Sequence, residues 1–173
     1  RMHKIVNTII KTTQLDKKEQ ILKTPVKINE WLVNIINQFT DRAKSKNILL
    51  KFNTYIPDDT LMSVDVDKIE IAFKNLIDNA LKYTFEGCVI CTVDKQESYF
   101  VFKFTDTGLG IIKKDVFKIF ERFYRSKHHR HIHYDLSEND SVGMGLGLYI
   151  TKGFIEAHNG TLEIEKSSSK GTS

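Results

Sequence analysis

The chain has 173 residues, of which 40% are hydrophobic and 28% are charged, a composition typical of one folded globular domain. A net charge of +4 is too small to indicate binding to DNA or RNA, and we expect no nucleic-acid partner. No apolar run approaches the ~20 residues that a membrane-spanning helix requires, which excludes a span within this sequence. Because the chain begins with Arg1 and stops at Ser173, we interpret it as a fragment of a longer protein.

Residues 1–22 are predicted to form a helix, because their first apolar side chains recur with helical, one-sided spacing. Pro25 ends regular structure there, since the residue before a proline is pushed out of the helical region. We interpret this segment as the end of a helix that packs on a partner in the parent protein. The alternative is a terminal helix that docks on its own domain.

The rest of the sequence alternates between predicted helices and strands. The predicted elements are a helix from the N-cap Asn29 to Ala43, strands at 48–56 and 61–66, a helix from the cap Asp67 to Tyr83, strands at 87–94 and 98–105, a short helix at 116–120, a helix at 146–158 and a strand at 161–165. Two adjacent strands joined by a short turn, among mixed helices, favour the α+β class with helices on one face of a sheet.

The two cysteines form an isolated C-x-x-C pattern inside a predicted strand. Cys88 and Cys91 are three positions apart, so on a strand their thiols point to opposite faces. Two such thiols cannot share a metal ion, and no second cysteine pair completes a zinc site. We therefore predict buried structural thiols, with a redox or metal role as the less favoured alternative.

A row of polar side chains marks the predicted helix that starts at Asp67. Asn75, Asn79 and Lys82 are spaced so that they share one face, which borders the apolar stripe instead of opposing it. Asparagine has only moderate helix propensity, so two on one face call for an explanation. The functional interpretation is a pair of amide oxygens for Mg²⁺ with a lysine for phosphate. The alternative is an ordinary solvated polar face.

Two glycine-containing segments follow. Asp106 stands at a strand end before Gly108 and Gly110, where a carboxylate can accept a hydrogen bond from an amine such as that of adenine. The alternative is an ordinary turn. Further on, three alternating glycines open the last predicted helix and offer backbone N–H groups to an anion, with a flexible hinge as an equal alternative. These are Gly143, Gly145 and Gly147.

The segment between the two glycine clusters, 122–133, is the most basic in the chain. Such a loop leading into a glycine hinge is typical of a lid over a polyphosphate. Its histidines could suggest a metal site, but no carboxylate or cysteine stands at a suitable spacing, so a solvated lid is favoured. These histidines are His128, His129, His131 and His133.

Taken together, these motifs strongly resemble the catalytic and ATP-binding domain of sensor histidine kinases. The order of the motifs carries the resemblance, which extends from Asp67 to Thr172. The four segments that match are 75–83, similar to the N box; 106–110, similar to the G1 box; 117–125, similar to the F box; and 143–147, similar to the G2 box.

The resemblance implies the Bergerat fold, a two-layer α/β sandwich with a mixed sheet under three helices. It implies that ATP and Mg²⁺ are the cofactors, with Asn79 as metal ligand and Asn75 near the metal and phosphates. The other implied contacts are Lys82 and Tyr83 with phosphate and ribose, Asp106 with the adenine amine, Gly108 and Gly110 in the adenine pocket, Arg122 and Arg125 with the phosphates, and Gly143, Gly145 and Gly147 in the lid.

The resemblance also implies the reaction, transfer of the ATP γ-phosphoryl to a histidine and then to the receiver domain of a response regulator. Residues 1–22 would be the remnant of a dimerisation helix and 23–173 the catalytic domain of a homodimeric parent. The phosphoacceptor segment is absent, so we expect no autophosphorylation by this chain alone. The resemblance implies a cytoplasmic domain, and anchoring of the parent in the bacterial inner membrane is common in the family.

One residue separates this reading from its main alternative, a related ATPase or nucleotide-dependent clamp. Those relatives carry a glutamate where Asn75 stands, and that glutamate activates water as a general base. An asparagine cannot take a proton at neutral pH, so the sequence favours transfer to a protein nucleophile over hydrolysis.

Overall fold

The computed structural model describes residues 20–126, 144–168 and 170–173. Most of the helix predicted at 1–22 lies outside these residues, and the described part, 20–22, is not helical. Gly143 and the four histidines of the predicted lid also lie outside them.

The described chain forms a five-stranded mixed sheet and a separate two-stranded sheet. The strands are β1 (Thr24–Lys27), β2 (Ile48–Thr54), β3 (Leu61–Val64), β4 (Gly87–Gln96), β5 (Tyr99–Asp106), β6 (Ser167–Ser168) and β7 (Gly171–Thr172). The large sheet has the order β2-β4-β5-β7-β6, in which β2 runs parallel to β4 and the other pairs are antiparallel. β1 pairs with β3 in antiparallel register.

Helices cover one face of the large sheet. They are α1 (Ile28–Asn37), α2 (Thr40–Ser45), α3 (Val66–Tyr83) and α4 (Gly147–Ala157), with a short 3₁₀ helix at Lys113–Asp115. Phe73 of α3 joins the layers, because its ring lies 5.6 Å from that of Trp31 in α1 and 4.9 Å from that of Phe102 in β5. This arrangement confirms the predicted α+β class with a mixed sheet under helices.

The apolar side chains form two clusters. The main core lies between α1, α3 and the sheet, and Ile77, Leu81 and Val89 are among its most buried members. On α4, Ile150 and Phe154 belong to a second cluster, which packs against α3. The helix layer therefore has α3 at its centre, in contact with the sheet below and with α4 at its side.

The helix that carries the polar row starts earlier than predicted. Asp65 is its N-cap, because its side chain accepts a hydrogen bond from the N–H of Lys68. Asp67, the predicted cap, lies within the first turn and is exposed. Both aspartates precede the apolar stripe, so the sequence pattern does not distinguish them. Only Asp65 has the extended backbone and the hydrogen bond of an N-cap residue.

The predicted helix from Asn29 to Ala43 is in fact two helices, α1 and α2, that meet near Phe39. Asn29 is not a cap but a buried residue of the first turn. Its amide donates to the carbonyl of Ile56 at 3.3 Å and accepts from the hydroxyl of Thr54 at 2.8 Å. These tertiary bonds satisfy the amide that the sequence suggested would cap the helix.

Two further predictions near the end of the chain are wrong in detail. Residues 161–165 do not form a strand; instead, the backbone of Ser173 bonds with that of Glu165 and Lys166 to extend the β6–β7 hairpin. The short helix expected at 116–120 is a 3₁₀ helix at Lys113–Asp115 followed by turns.

Candidate functional site

A large cleft lies along α3 and contains most of the predicted site residues. Its volume is about 1830 Å³. The cleft is this large because it continues from the polar row of α3 along the aromatic side chains of β5. Nine predicted residues line it: Asn75, Asn79, Lys82, Tyr83, Asp106, Gly110, Gly145, Gly147 and Arg125. Four segments that are far apart in the sequence thus converge on one surface.

The polar row of α3 occupies the border between core and cleft. Lys82 is only 8% exposed although it is charged, and its ammonium lies 5.5 Å from the centre of the Tyr83 ring. Burial raises the pKa of the Tyr83 hydroxyl, while the positive charge of Arg125 acts in the opposite direction and Asp78 raises it further. Arg125 and Tyr83 both line the cleft, so this cation lies on the same surface as the end of α3.

Asp106 ends β5 and is held by backbone donors. Its Oδ1 accepts from the N–H of Gly108 at 2.8 Å and from the N–H of Thr172 at 3.3 Å. Burial raises the pKa of this carboxyl, and the two hydrogen bonds only partly oppose that shift. The fold thus keeps a desolvated carboxylate at the cleft wall, where a ligand with an N–H donor would relieve the cost of burial.

Gly108 does not line the cleft but packs against the end of α3 next to it. A Cβ at this position would collide with the carbonyl of Tyr83, so only glycine lets the loop after β5 approach the end of α3. The N–H of Leu109 donates to that same carbonyl at 3.2 Å. Glycine is therefore required here by the packing of two elements, and the predicted contribution of Gly108 to an adenine pocket stays a prediction.

The glycine segment before α4 is joined to the segment that contains the two predicted arginines. Gly145 has a φ angle of 72°, which residues with a side chain rarely adopt. Its carbonyl accepts a hydrogen bond from the N–H of Phe123 at 2.9 Å. Arg122 does not line the cleft; its guanidinium lies 5.1 Å from the centre of the Phe123 ring. Its contact with phosphates stays a prediction.

Asn75 connects α3 with the first turns of α4. Its Nδ2 lies 3.3 Å from the carbonyl oxygen of Gly147 and 3.4 Å from the hydroxyl of Thr151. Sequence reasoning missed Thr151, which is fully buried, because nothing local in its helix marks a contact with a residue 76 positions earlier. Thr172, which bonds Asp106, was missed for the same reason.

The amide oxygens along α3 are suitable ligands for a hard cation. Asn75 and Asn79 lie on successive turns and both line the cleft, and amide oxygens are ligands that Mg²⁺ accepts. Among the described residues, no group of three histidine, cysteine or acidic side chains could hold a metal ion in another way. The four histidines of the predicted lid lie outside the described residues.

A two-layer fold in which helix amides, a strand-end carboxylate and glycine loops meet in one cleft defines a domain of the ATPase type. The chain belongs to the histidine kinase-, DNA gyrase B- and HSP90-like ATPase family, whose model matches residues 64–173. Within this family, the order of its motifs is similar to that of sensor histidine kinases.

The chain is similar to sensor histidine kinases in sequence and in structure. It is 33% identical over 177 residues to the sensor histidine kinase WalK of Bacillus subtilis (strain 168), covering 99% of this chain and 27% of that protein. The full-length ShkA structure in complex with AMPPNP superposes with a TM-score of 0.82 at 22% identity, covering 98% of this chain and 34% of that one. Histidine kinase ThkA in complex with the response regulator protein TrrA gives a TM-score of 0.75 at 20% identity, covering 99% and 46%.

These structures share the fold with this chain. The chain spans about a quarter of the length of WalK. In the part of the chain that the structure describes, every helix is too short or too polar to span a lipid bilayer.

Proposed function

We propose that this chain is the catalytic part of a two-component sensor histidine kinase, which transfers the γ-phosphoryl of ATP to a histidine of a dimerisation domain. In this reaction the bond between the γ-phosphorus and the bridging oxygen breaks to leave ADP, a phosphorus–nitrogen bond forms, and the histidine nitrogen loses a proton. The observation that carries the proposal is the convergence of Asn75, Asn79 and Lys82 with Asp106 in one cleft. Membership of the ATPase family and the likeness to WalK support it.

Asp106 would bind the adenine amine. Its Oδ1 is already fixed by two backbone N–H groups, so the carboxylate has a defined orientation before a ligand arrives. The burial that raises its pKa also strengthens a hydrogen bond from the exocyclic amine of adenine. Gly110 lies in the cleft wall on the same side.

Asn79 would ligate Mg²⁺, with Asn75 beside it, and Lys82, Tyr83 and Arg125 would contact the phosphates and ribose. Bound Mg²⁺ neutralises charge on the phosphate oxygens. Lys82 supplies a cation at the border of the core, where water screens it little. The loop containing Gly145 and Gly147 would close over the polyphosphate.

Asn75 favours transfer over hydrolysis. An amide cannot accept a proton from water at neutral pH, so the cleft lacks a general base at the place where hydrolysing relatives carry a glutamate. Catalysis then depends on positioning the nucleotide against a nucleophile supplied by another domain.

We also propose that residues 1–22 end a dimerisation helix and that 23–173 form the catalytic domain of a homodimeric parent protein. The similarity to WalK covers nearly this whole chain, including the part before residue 64 where the family match begins. The partner that receives the phosphoryl group next would be a response regulator receiver domain, as in the ThkA–TrrA complex.

Titration with a non-hydrolysable ATP analogue, with and without Mg²⁺, tests the site. We expect binding that Mg²⁺ strengthens, and loss of that strengthening in the N79A variant. N53A is the matched control, because Asn53 is an exposed asparagine of β2 outside the cleft. Unchanged Mg²⁺ dependence in N79A would refute the assignment of α3.

Transfer is tested by adding a dimerisation domain that carries the phosphoacceptor histidine. We expect acid-labile phosphate on that domain and little release of free phosphate by the chain alone. Rapid hydrolysis of free ATP by the purified chain would instead favour a stand-alone ATPase or clamp.

A further inference from the structure

We propose that Thr151 is a positioning residue that sets the orientation of the Asn75 amide. This inference rests on the proposed function, since it concerns how the cleft presents Asn75 to a metal-bound polyphosphate. No motif contains Thr151, and it does not line the cleft. It acts through Asn75.

The hydrogen bonds form a short relay between α3 and α4. The Asn75 amide nitrogen donates to the hydroxyl oxygen of Thr151 at 3.4 Å, and that hydroxyl donates to the carbonyl of Ala72 at 3.5 Å. The same amide nitrogen donates to the carbonyl of Gly147 at 3.3 Å. Thr151 is fully buried, so water does not compete for its hydroxyl.

The relay decides which end of the amide faces the cleft. Gly147 and Thr151 are four residues apart, so their two acceptors lie on one face of α4, and both are within hydrogen-bond distance of the Asn75 amide nitrogen. The amide is planar, so holding its nitrogen toward α4 also fixes the direction of Oδ1, and we infer that this oxygen serves as an acceptor in the cleft that Asn75 lines. An oxygen there suits a cation or its bound water, whereas a flipped amide would present N–H groups and repel it.

The relay also joins the two parts of the site that must act together. Gly147 is the last glycine of the glycine segment and the first residue of α4, and Asn75 lies one turn before Asn79. A change in the position of α4 would therefore change the orientation of Asn75. The hydroxyl of Thr151 is the side-chain group through which a movement of α4 would reach the Asn75 amide.

The experiment compares T151V, which keeps the shape and removes the hydroxyl, with T151S, which keeps the hydroxyl. We expect T151V to bind a non-hydrolysable ATP analogue about tenfold more weakly when Mg²⁺ is present and equally well when it is absent. T151S should stay within about twofold of the wild type in both conditions. I150V, a change at a buried neighbour on the same helix, controls for lost packing.

A second readout needs no nucleotide. The two side-chain N–H signals of Asn75, assigned by comparison with N75A, should shift and exchange faster with solvent in T151V but not in T151S. Equal effects of T151V and T151S, or of T151V and I150V, would overturn the inference while leaving the proposed function intact. Failure of the wild-type chain to bind the analogue would overturn both.

Discussion

The imidazole of His158 accepts a hydrogen bond at Nε2 from the backbone N–H of Asp65 at 3.0 Å, which ties the end of α4 to the start of α3. Its Nδ1 therefore carries the hydrogen and donates to the carbonyl of Phe154 at 2.7 Å. One neutral ring thus satisfies a donor at the start of one helix and an acceptor at the end of another.

Replacing His158 by leucine should lower the free energy of unfolding by about 1–3 kcal/mol, because the N–H of Asp65 loses its acceptor in a partly buried place. Urea denaturation measures the change. E156L is the control at an exposed position of the same helix and should stay within about 0.5 kcal/mol of the wild type. Equal effects of the two substitutions would contradict the proposed link.

The cap of α3 should be worth about 1 kcal/mol, which D65A would remove and D67A would not. Asp65 accepts from the N–H of Lys68 at 3.2 Å and pairs with its ammonium at 2.8 Å, whereas Asp67 is exposed. Thermal melting of both variants provides the comparison. A larger loss in D67A would show that the second aspartate is the cap after all.

The same cap predicts an acid dependence. Burial alone would raise the pKa of Asp65, but hydrogen bonds from Lys68 and from the N–H of Leu22 hold it below the ordinary value of 3.8. A lowered pKa stabilises the fold above pH 3.8, and this stabilisation is lost as the pH falls through the lowered pKa. We expect the stability of D65N to depend less on pH in this window than that of the wild type.

The pH dependence of stability that Asp106 contributes should have the opposite sign. At this residue we also expect the carboxylate to favour binding while it lowers stability. Its raised pKa means that its contribution to stability is present below pH 3.8 and is lost as the pH rises through the raised value. D106N cannot ionise and can keep the bonds from Gly108 and Thr172, so its melting temperature at pH 7 should equal or exceed that of the wild type.

The same variant should bind adenine nucleotide about 10- to 100-fold more weakly, because the charged acceptor for the amine is lost. D59N, a change at an exposed aspartate outside the cleft, is the matched control for binding and melting. If D106N bound as well as the wild type, the adenine would have to lie elsewhere.

The two thiols should differ in reactivity. Burial raises the pKa of Cys91 to about 12, while Cys88 is half-buried on the opposite face of β4. A chromogenic disulfide reagent should titrate one thiol in the native chain and both after denaturation. C88S should abolish the native reaction, and persistence of that reaction would show that Cys91 is accessible.

The sequence predicts the site better than the exact ends of the elements. Helical spacing alone places Asn75, Asn79 and Lys82 on one face, and the structure has all three at the cleft. The position of Asp106 at a strand end is equally local, since the run of aromatic and β-branched residues before it already indicates a strand.

The predictions that differ from the structure concern residues whose conformation depends on contacts with residues far away in the sequence. Leu162 and Ile164 alternate as in a strand, but the backbone of this region bonds with Ser173 and no strand forms. The break near Phe39 lacks a glycine or proline to mark it. The role of Thr151 depends on a contact with another helix, which no local pattern encodes.

The separate apolar cluster of α4 has a consequence for fluctuations of the domain. Ile150 and Phe154 pack with residues such as Ile71 and Tyr149, and only Ile155 borders the main core. Detaching α4 would disrupt this smaller cluster and leave the apolar contacts of the main core largely in place. Opening at α4 would thus be a local event, in which the sheet and α3 keep their native packing.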